Sequence, residues 1–258
     1  MGAFFITGRT ILLFIIKMNF LRSMALPFFY VANLDAKSIL LDEDTSKHVV
    51  MVLRMKRGEE LLLTDGKGKK VIARIVDGNR KKCVVDILSS EIDTPRKRKV
   101  SVGISIIKNT ARFEWFLEKA TEIGVSEIYP MICERTEKGK FRYERMQNIL
   151  VSAMLQSQQS MLPKLQEPTN FGNVLNKENY MQKFIAHCVE SDKKSLFDYN
   201  SREESTSTLV LIGPEGDFTS EEISQALSHD FIPVALGETR LRTETAGLVA
   251  ATLLCIAH

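Results

Sequence analysis

The chain has 258 residues, 44% hydrophobic and 26% charged, a globular composition that excludes a disordered chain, a collagen-like repeat or a membrane bundle as the main architecture. Its 35 Lys and Arg against 32 Asp and Glu leave a net charge of +3, too small to imply a partner by itself. Cys83, Cys133, Cys188 and Cys255 stand far apart, with no C-x-x-C pair and no His at a ligand spacing. Neither a zinc site nor a disulfide scaffold is expected, and a reduced, cytoplasmic setting follows.

Residues 10–16, TILLFII, form an apolar run between Arg9 and Lys17. A bilayer span needs about 20 residues, and no small-x-small cleavage site follows. Residues 1–23 therefore read as an extension upstream of the fold, with the core of a signal peptide as the alternative. From Met24 to about Asp93 the pattern is rich in strands. Residues 28–31 predict one strand, and Asp44-Thr45 cap a short helix carrying His48, Val52 and Leu53 that ends near Gly58. Residues 60–64, 71–76 and 83–88 predict three more strands, with turns at Asp65-Gly66 and Gly78-Asn79, which suggests a small β-barrel or sandwich. Thr94-Pro95-Arg96-Lys97-Arg98-Lys99 then reads as a solvated linker at a domain boundary.

Beyond it, strands predicted at 100–106, 126–132, 184–187, 209–213 and 232–236 alternate with helices at 112–123, 142–159, 221–227 and 245–257. The first helix places Trp115, Phe116 and Ala120 on one side and closes at Gly124. Residues 201–208 read as a surface loop. Such alternation means an α/β domain with a parallel sheet covered on both faces.

Ligands of parallel sheets bind beyond the carboxyl ends of the strands. After the fourth strand comes Ile212-Gly213-Pro214-Glu215-Gly216-Asp217-Phe218-Thr219, with Thr219 and Glu222 set as a capping box. Its glycines allow positive φ and close approach of backbone to a ligand. It is neither a Walker A loop nor a G-x-G-x-x-G turn, and a plain strand-to-helix turn is the alternative. After the fifth strand, Leu236-Gly237-Glu238-Thr239-Arg240-Leu241-Arg242-Thr243-Glu244-Thr245-Ala246-Gly247 runs into an Ala-rich helix. Paired arginines at a helix N-terminus suit an anion or a developing oxyanion. A helix capped by Thr243 accounts for Thr243 and for neither arginine.

Taken together, IGPEG, LGETRLRTETA and KATEIGVSEIYP resemble the RsmE group of SPOUT methyltransferases, which methylate N3 of a uridine in 16S ribosomal RNA of the small subunit. The resemblance runs from Met24 to His258. His48, Val52-Leu53-Arg54 and Gly58 match at the amino end; Glu118 to Val125, Glu134-Arg135, Ala153, Gln156 and Pro163 match in the middle; Ala186-His187-Cys188 matches before a long loop. It implies a PUA-like RNA-binding β-barrel over residues 24–95 and a SPOUT trefoil-knot domain over residues 96–258. It also implies S-adenosylmethionine lined by Ile212, Gly213, Pro214, Glu215, Gly216, Leu236 and Gly237, with Leu241, Thr243 and Ala246 closing over it. Asp217 stands where a glycine is usual, Leu155 and Gln159 replace Glu and Arg, and residues 1–23 have no counterpart.

A methyl on a sulfonium needs only an in-line nucleophile, so no metal is expected. Uracil N3 is a poor nucleophile until its proton leaves, so the site has to supply a base or stabilise the anion. The charge spreads onto O2 and O4, where Arg242 or Arg240 would hold it, and Glu244 is the candidate base. Glu244 paired to Arg242 at the helix N-terminus is the alternative. His48 reads as structural, His187 as lying near the cofactor loops without titrating, and Trp115 as core.

Cations cluster at Lys67, Lys69 and Lys70, at residues 80–82 and 96–99, and around Arg135, Lys138, Lys140, Arg142 and Arg145. RNA contacts are expected from Arg54, Arg80, Lys81, Arg98 and Arg135. The last helix is apolar all round, and its small residues Ala246, Gly247, Ala250 and Ala251 predict a homodimer. A non-catalytic RNA-binding or assembly protein on the same scaffold is one rival, opposed by the presence of both loops. A small-molecule enzyme binding phosphate at residues 213–216 is another, and it leaves the barrel without a purpose.

Overall fold

The computed structural model describes residues 26–137, 139–189, 192–199 and 207–256. Residues 1–23, Met24, Lys138 and most of the loop at 201–208 lie outside them. The chain divides into two compact units, one running to Thr94 and including Gln158–Met161, the other comprising Pro95–Ser157 and the chain from Leu162 onward.

The first unit holds β1 (Phe28–Tyr30), β2 (Ser38–Leu40), α1 (Glu43–Lys47), a π-helical turn at His48–Val52, β3 (Glu60–Thr64), β4 (Lys69–Asp77) and β5 (Val84–Ile92). They form one curled sheet in the order β1-β3-β4-β5-β2, antiparallel except for the parallel pair β1–β3. Alternate residues of β4, namely Val71, Ala73 and Ile75, join Leu61, Leu63 and Val85 in its core. The helix cap is Asp42, not Asp44, because the Asp42 carboxylate accepts the Thr45 N–H at 2.8 Å. The exposed His48 ring packs edge-on against Phe29, consistent with a structural role.

Gln158–Met161 joins this unit through backbone and side chains. Gly68 N–H donates to the Ser160 carbonyl at 3.0 Å. The Asp93 carboxylate takes both Ser160 Oγ and, at 2.7 Å, Lys70 Nζ. Burial alone would raise the Asp93 carboxyl, but these two partners outweigh it and hold it below its ordinary value.

The second unit runs β6 (Lys99–Ser105), α2 (Thr110–Ile123), β7 (Glu127–Ile132), α3 (Tyr143–Gln156), β8 (Lys164–Leu165), β9 (Thr169–Asn170) and α4 (Phe171–Leu175). It continues with β10 (Gln182–Ala186), β11 (Lys194–Ser195), a 3-10 turn at Leu196–Tyr199, β12 (Ser207–Ile212), α5 (Ser220–Ser228), β13 (Ile232–Ala235) and α6 (Thr243–Ile256). All its strand pairs are parallel, in the order β11-β13-β10-β12-β6-β7-β8, with β9 also on β7. Val210 and Ile212 of β12 face a core built with α2, α3 and α6, while Leu209 and Leu211 face one built with α4 and α5. After β13 pairs between β10 and β11, the chain returns to lay α6 over β6 and β12, the path expected of the knot.

Two expectations fail inside this unit. Trp115 is 41% exposed, because the buried stripe of α2 is Phe113, Phe116, Leu117, Ala120 and Thr121, and position 115 falls beside it. The small residues of α6 serve contacts within the chain: Gly247, Ala250 and Ala251 are buried, and a Cβ at Gly247 would lie 2.8 Å from Phe116.

Candidate functional site

A cavity of about 300 Å³ opens beyond the carboxyl ends of β10 and β12. The turn after β12 contributes Ile212, Gly213, Pro214, Glu215 and Asp217 to its wall. The approach to α6 and its first turn contribute Arg240, Leu241, Arg242, Thr243 and Ala246, and the end of β10 contributes Ala186 and Cys188. Both loops singled out in the sequence thus meet in one place.

The turn after β12 is held from several directions. Gly213 is closely approached, since a Cβ there would lie 3.1 Å from the buried Phe218 ring. Asp217 sits at φ 63°, a left-handed conformation natural to glycine and tolerated by Asp. One Asp217 oxygen accepts the Cys188 N–H at 2.7 Å and the other its own Phe218 N–H at 2.9 Å. Arg135 Nη1 donates to the Gly216 carbonyl at 2.7 Å, and Arg240 Nη2 to the Glu215 carbonyl at 3.4 Å. Thr219 and Glu222 complete the predicted capping box.

Four of the expected residues are off the wall. Gly216 faces Arg135, Leu236 packs on the core, and Gly237, at φ 139°, has open space where a Cβ would stand. Glu244 is buried with Oε1 3.6 Å from Arg112 Nε on α2, and its Oε2 has no hydrogen-bond partner. It therefore pairs with Arg112, not with Arg242. Helix phase is the reason: positions 243 and 246 face the cavity, while 244 and 247 turn toward α2. The helix starts at Thr243, and the Arg242 carbonyl accepts Ala246 N–H at 2.7 Å, so Arg242 occupies the cap position assigned above to Thr243. His187 is buried at the end of β10, with Nδ1 unpartnered. Burial, then the Lys193 ammonium, push its imidazole below the ordinary value, against the pull of Asp217.

The expected RNA-contacting residues divide into two kinds. Arg54, Arg80 and Lys81 are exposed in the first unit, with Lys81 Nζ 3.9 Å from the Glu43 carboxylate. In the second unit Arg98 donates to the Leu254 carbonyl at 3.3 Å, near the end of α6, and Arg135 holds the Gly216 turn. Arg96 likewise caps α2 through the Ile123 and Gly124 carbonyls at 3.1 and 3.2 Å. Other clustered cations are ion-paired: Lys69 with Asp35, Lys70 with Asp93, and Arg145 with Glu114. Sequence reasoning missed the Arg112–Glu244 pair and the Asp217 tether, because neither partner is close in the chain.

Residues 94–255 match the model of an RNA methyltransferase domain, and residues 41–88 that of an RNA methyltransferase PUA domain. The chain belongs to the RsmE family of SPOUT RNA methyltransferases. It is 28% identical to ribosomal RNA small subunit methyltransferase E of Mesomycoplasma hyopneumoniae, over 87% of this chain and 96% of that protein. Among solved structures, a probable rRNA-methyltransferase from Porphyromonas gingivalis superposes with a TM-score of 0.82 at 36% identity, covering 89% of this chain and 98% of that one. The Neisseria gonorrhoeae ribosomal RNA small subunit methyltransferase E bound to S-adenosyl methionine does so with 0.77 at 29% identity, covering 88% and 95%. Among the described residues of this RsmE-family chain, no helix is long and apolar enough to cross a membrane. Among the same residues, no group of His, Cys, Asp and Glu is placed to hold a metal ion.

Proposed function

We propose that this chain transfers the methyl group of S-adenosylmethionine to N3 of one uridine in 16S ribosomal RNA of the small subunit, in the cytoplasm, as a homodimer. The observation that carries the reading is the single cavity made by the two loops. The cofactor bears a carboxylate, an ammonium and a sulfonium. The wall offers Glu215 and Asp217 for the cations and the N-terminus of a 14-residue helix for the carboxylate. Ile212, Gly213, Pro214, Leu241, Thr243 and Ala246 form the rest of the seat. Gly216, Leu236 and Gly237 belong to the same two loops, off the wall of the cavity. S-adenosylmethionine, when bound, supplies an electrophilic methyl.

The chain's own work is to hold uracil as its N3 anion. Arg240 and Arg242 are the cavity-facing donors for the charge on O2 and O4. Glu244 pairs with Arg112 off the cavity wall, and in this reading the N3 proton leaves to solvent. In this reading residues 24–95 bind RNA, with Arg54, Arg80 and Lys81 on phosphates, and residues 96–258 carry the chemistry. The dimer forms through the outward face of α6, where Leu248 and Val249 are half-buried and Ile256 is 57% exposed. Small subunits from cells lacking the gene, incubated with protein and labelled cofactor, should acquire one methyl at uridine N3 by mass spectrometry. A methyl on another atom, or none, refutes the proposal.

A further inference from the structure

We infer that Asp217 makes the cavity selective for the cationic cofactor over its product, S-adenosylhomocysteine. The inference rests on the cofactor reading above. Cofactor and product share the ammonium, the carboxylate and the nucleoside. They differ by one methyl and one positive charge at sulfur, so a charge on the wall is what tells them apart.

The wall has an acidic side, Glu215 and Asp217 in the turn after β12, and a basic side, Arg240 and Arg242 before α6. Of the two acids, Asp217 has the fixed carboxylate. Its backbone is held at φ 63°, and its oxygens accept the Cys188 N–H at 2.7 Å and the Phe218 N–H at 2.9 Å. In Glu215 it is the carbonyl that Arg240 holds, at 3.4 Å. Asp217 is half-buried, so its field is less screened than that of a fully exposed acid. A glycine in its place would keep the left-handed turn and add no charge. When the methyl leaves, the sulfur becomes neutral and this attraction ends, which speeds exchange of product for fresh cofactor.

The same carboxylate also ties the end of β10 to the turn after β12, so the test has to separate charge from tether. Asp217→Asn keeps the size, the tolerance of the left-handed turn and one acceptor, and removes the charge. Asp217→Gly removes charge and tether together. Calorimetry with S-adenosylmethionine and S-adenosylhomocysteine on the full chain and both variants reads the two affinities. We expect the preference for the methylated cofactor to drop about tenfold in both variants, equivalent to roughly 1.4 kcal/mol. In the Asn variant, product affinity should stay within about twofold of the unaltered chain, a change of under half a kcal/mol. An unchanged ratio, with both ligands weakened together, would make Asp217 a tether only and overturn the inference. If the unaltered chain binds neither ligand, the cofactor reading falls first and the inference falls with it.

Discussion

Replacing Gly247 sets two effects of opposite sign against each other. Alanine is favoured over glycine inside a helix by about 1 kcal/mol, so on local grounds Gly247→Ala strengthens α6. Packing opposes it. A Cβ there would lie 2.8 Å from Phe116 Cε2 and 2.9 Å from Ile104 Cδ1. Carbon atoms ordinarily stand about 3.5–4.0 Å apart, so the helix or its neighbours must give by roughly 0.7 Å. Phe116 and Ile104 are both 0% exposed and have no room to retreat. Overpacking of this kind costs about 1–3 kcal/mol, which leaves Gly247→Ala about 1 kcal/mol less stable and Gly247→Val about 3 kcal/mol or more. Thr243 and Ala246 stand on the cavity wall in the same turns of α6, so S-adenosylmethionine affinity should fall alongside stability. Urea unfolding followed by the fluorescence of Trp115, the one tryptophan of the chain, reports on this unit. An alanine variant as stable as the unaltered chain, or more stable, would refute the close approach.

Leu248→Lys combined with Val249→Lys should give a folded monomer by light scattering and circular dichroism, because both side chains are only half-buried in a single chain and neither belongs to the core cluster. A surviving dimer contradicts the proposed face, whereas Ala250→Glu, at a 0% exposed position, should simply unfold. Arg80→Ala with Lys81→Ala should flatten the salt dependence of RNA binding by about 0.7–0.9 units per lost phosphate contact, with no change in melting temperature. Arg98→Ala should instead lower the melting temperature, through its lost bond to the Leu254 carbonyl, and an unchanged slope in the first pair would remove those cations from the interface. The folded His187 lies below its ordinary value, so the unfolded chain binds the extra proton as pH falls beneath about 6.5, and stability declines from there toward the folded value. His187→Gln should flatten that limb of the pH–stability curve, and an identical limb in the variant would show that another group titrates.

Long elements were legible because their signals are local. Gly124 ends α2 at φ 100°, the Thr219–Glu222 box starts α5, and the strands of the parallel sheet are apolar on both faces. The two-residue strands β8, β9 and β11 carry no such pattern, since only their neighbours make them strands. The helix expected over 142–159 takes in Gln158 and Gln159, yet Gln158 turns at φ 58°, and the following Ser160 is claimed by Gly68 and Asp93 of the first unit.

At the site, the concentration of glycines and charged groups pointed to both loops, but residue type did not reveal which charge faces the ligand. A guanidinium suits a phosphate, and it suits equally the carbonyls left unpaired at a helix end or in a tight turn. Arg96, Arg98 and Arg135 take that second use, while Arg240 and Arg242 keep their place on the wall. Glu244 shows the same ambiguity in angular form. It lies one residue from the wall along the chain, and one helical step of about 100° carries it from the cavity to Arg112. Asp217 is the converse case, where one backbone requirement admits two chemistries. Glycine and aspartate both accept a φ of 63°, so the fold survives the exchange while the wall gains a carboxylate. The backbone therefore leaves that position free to set the charge of the cavity, and selectivity can change there without a change of fold.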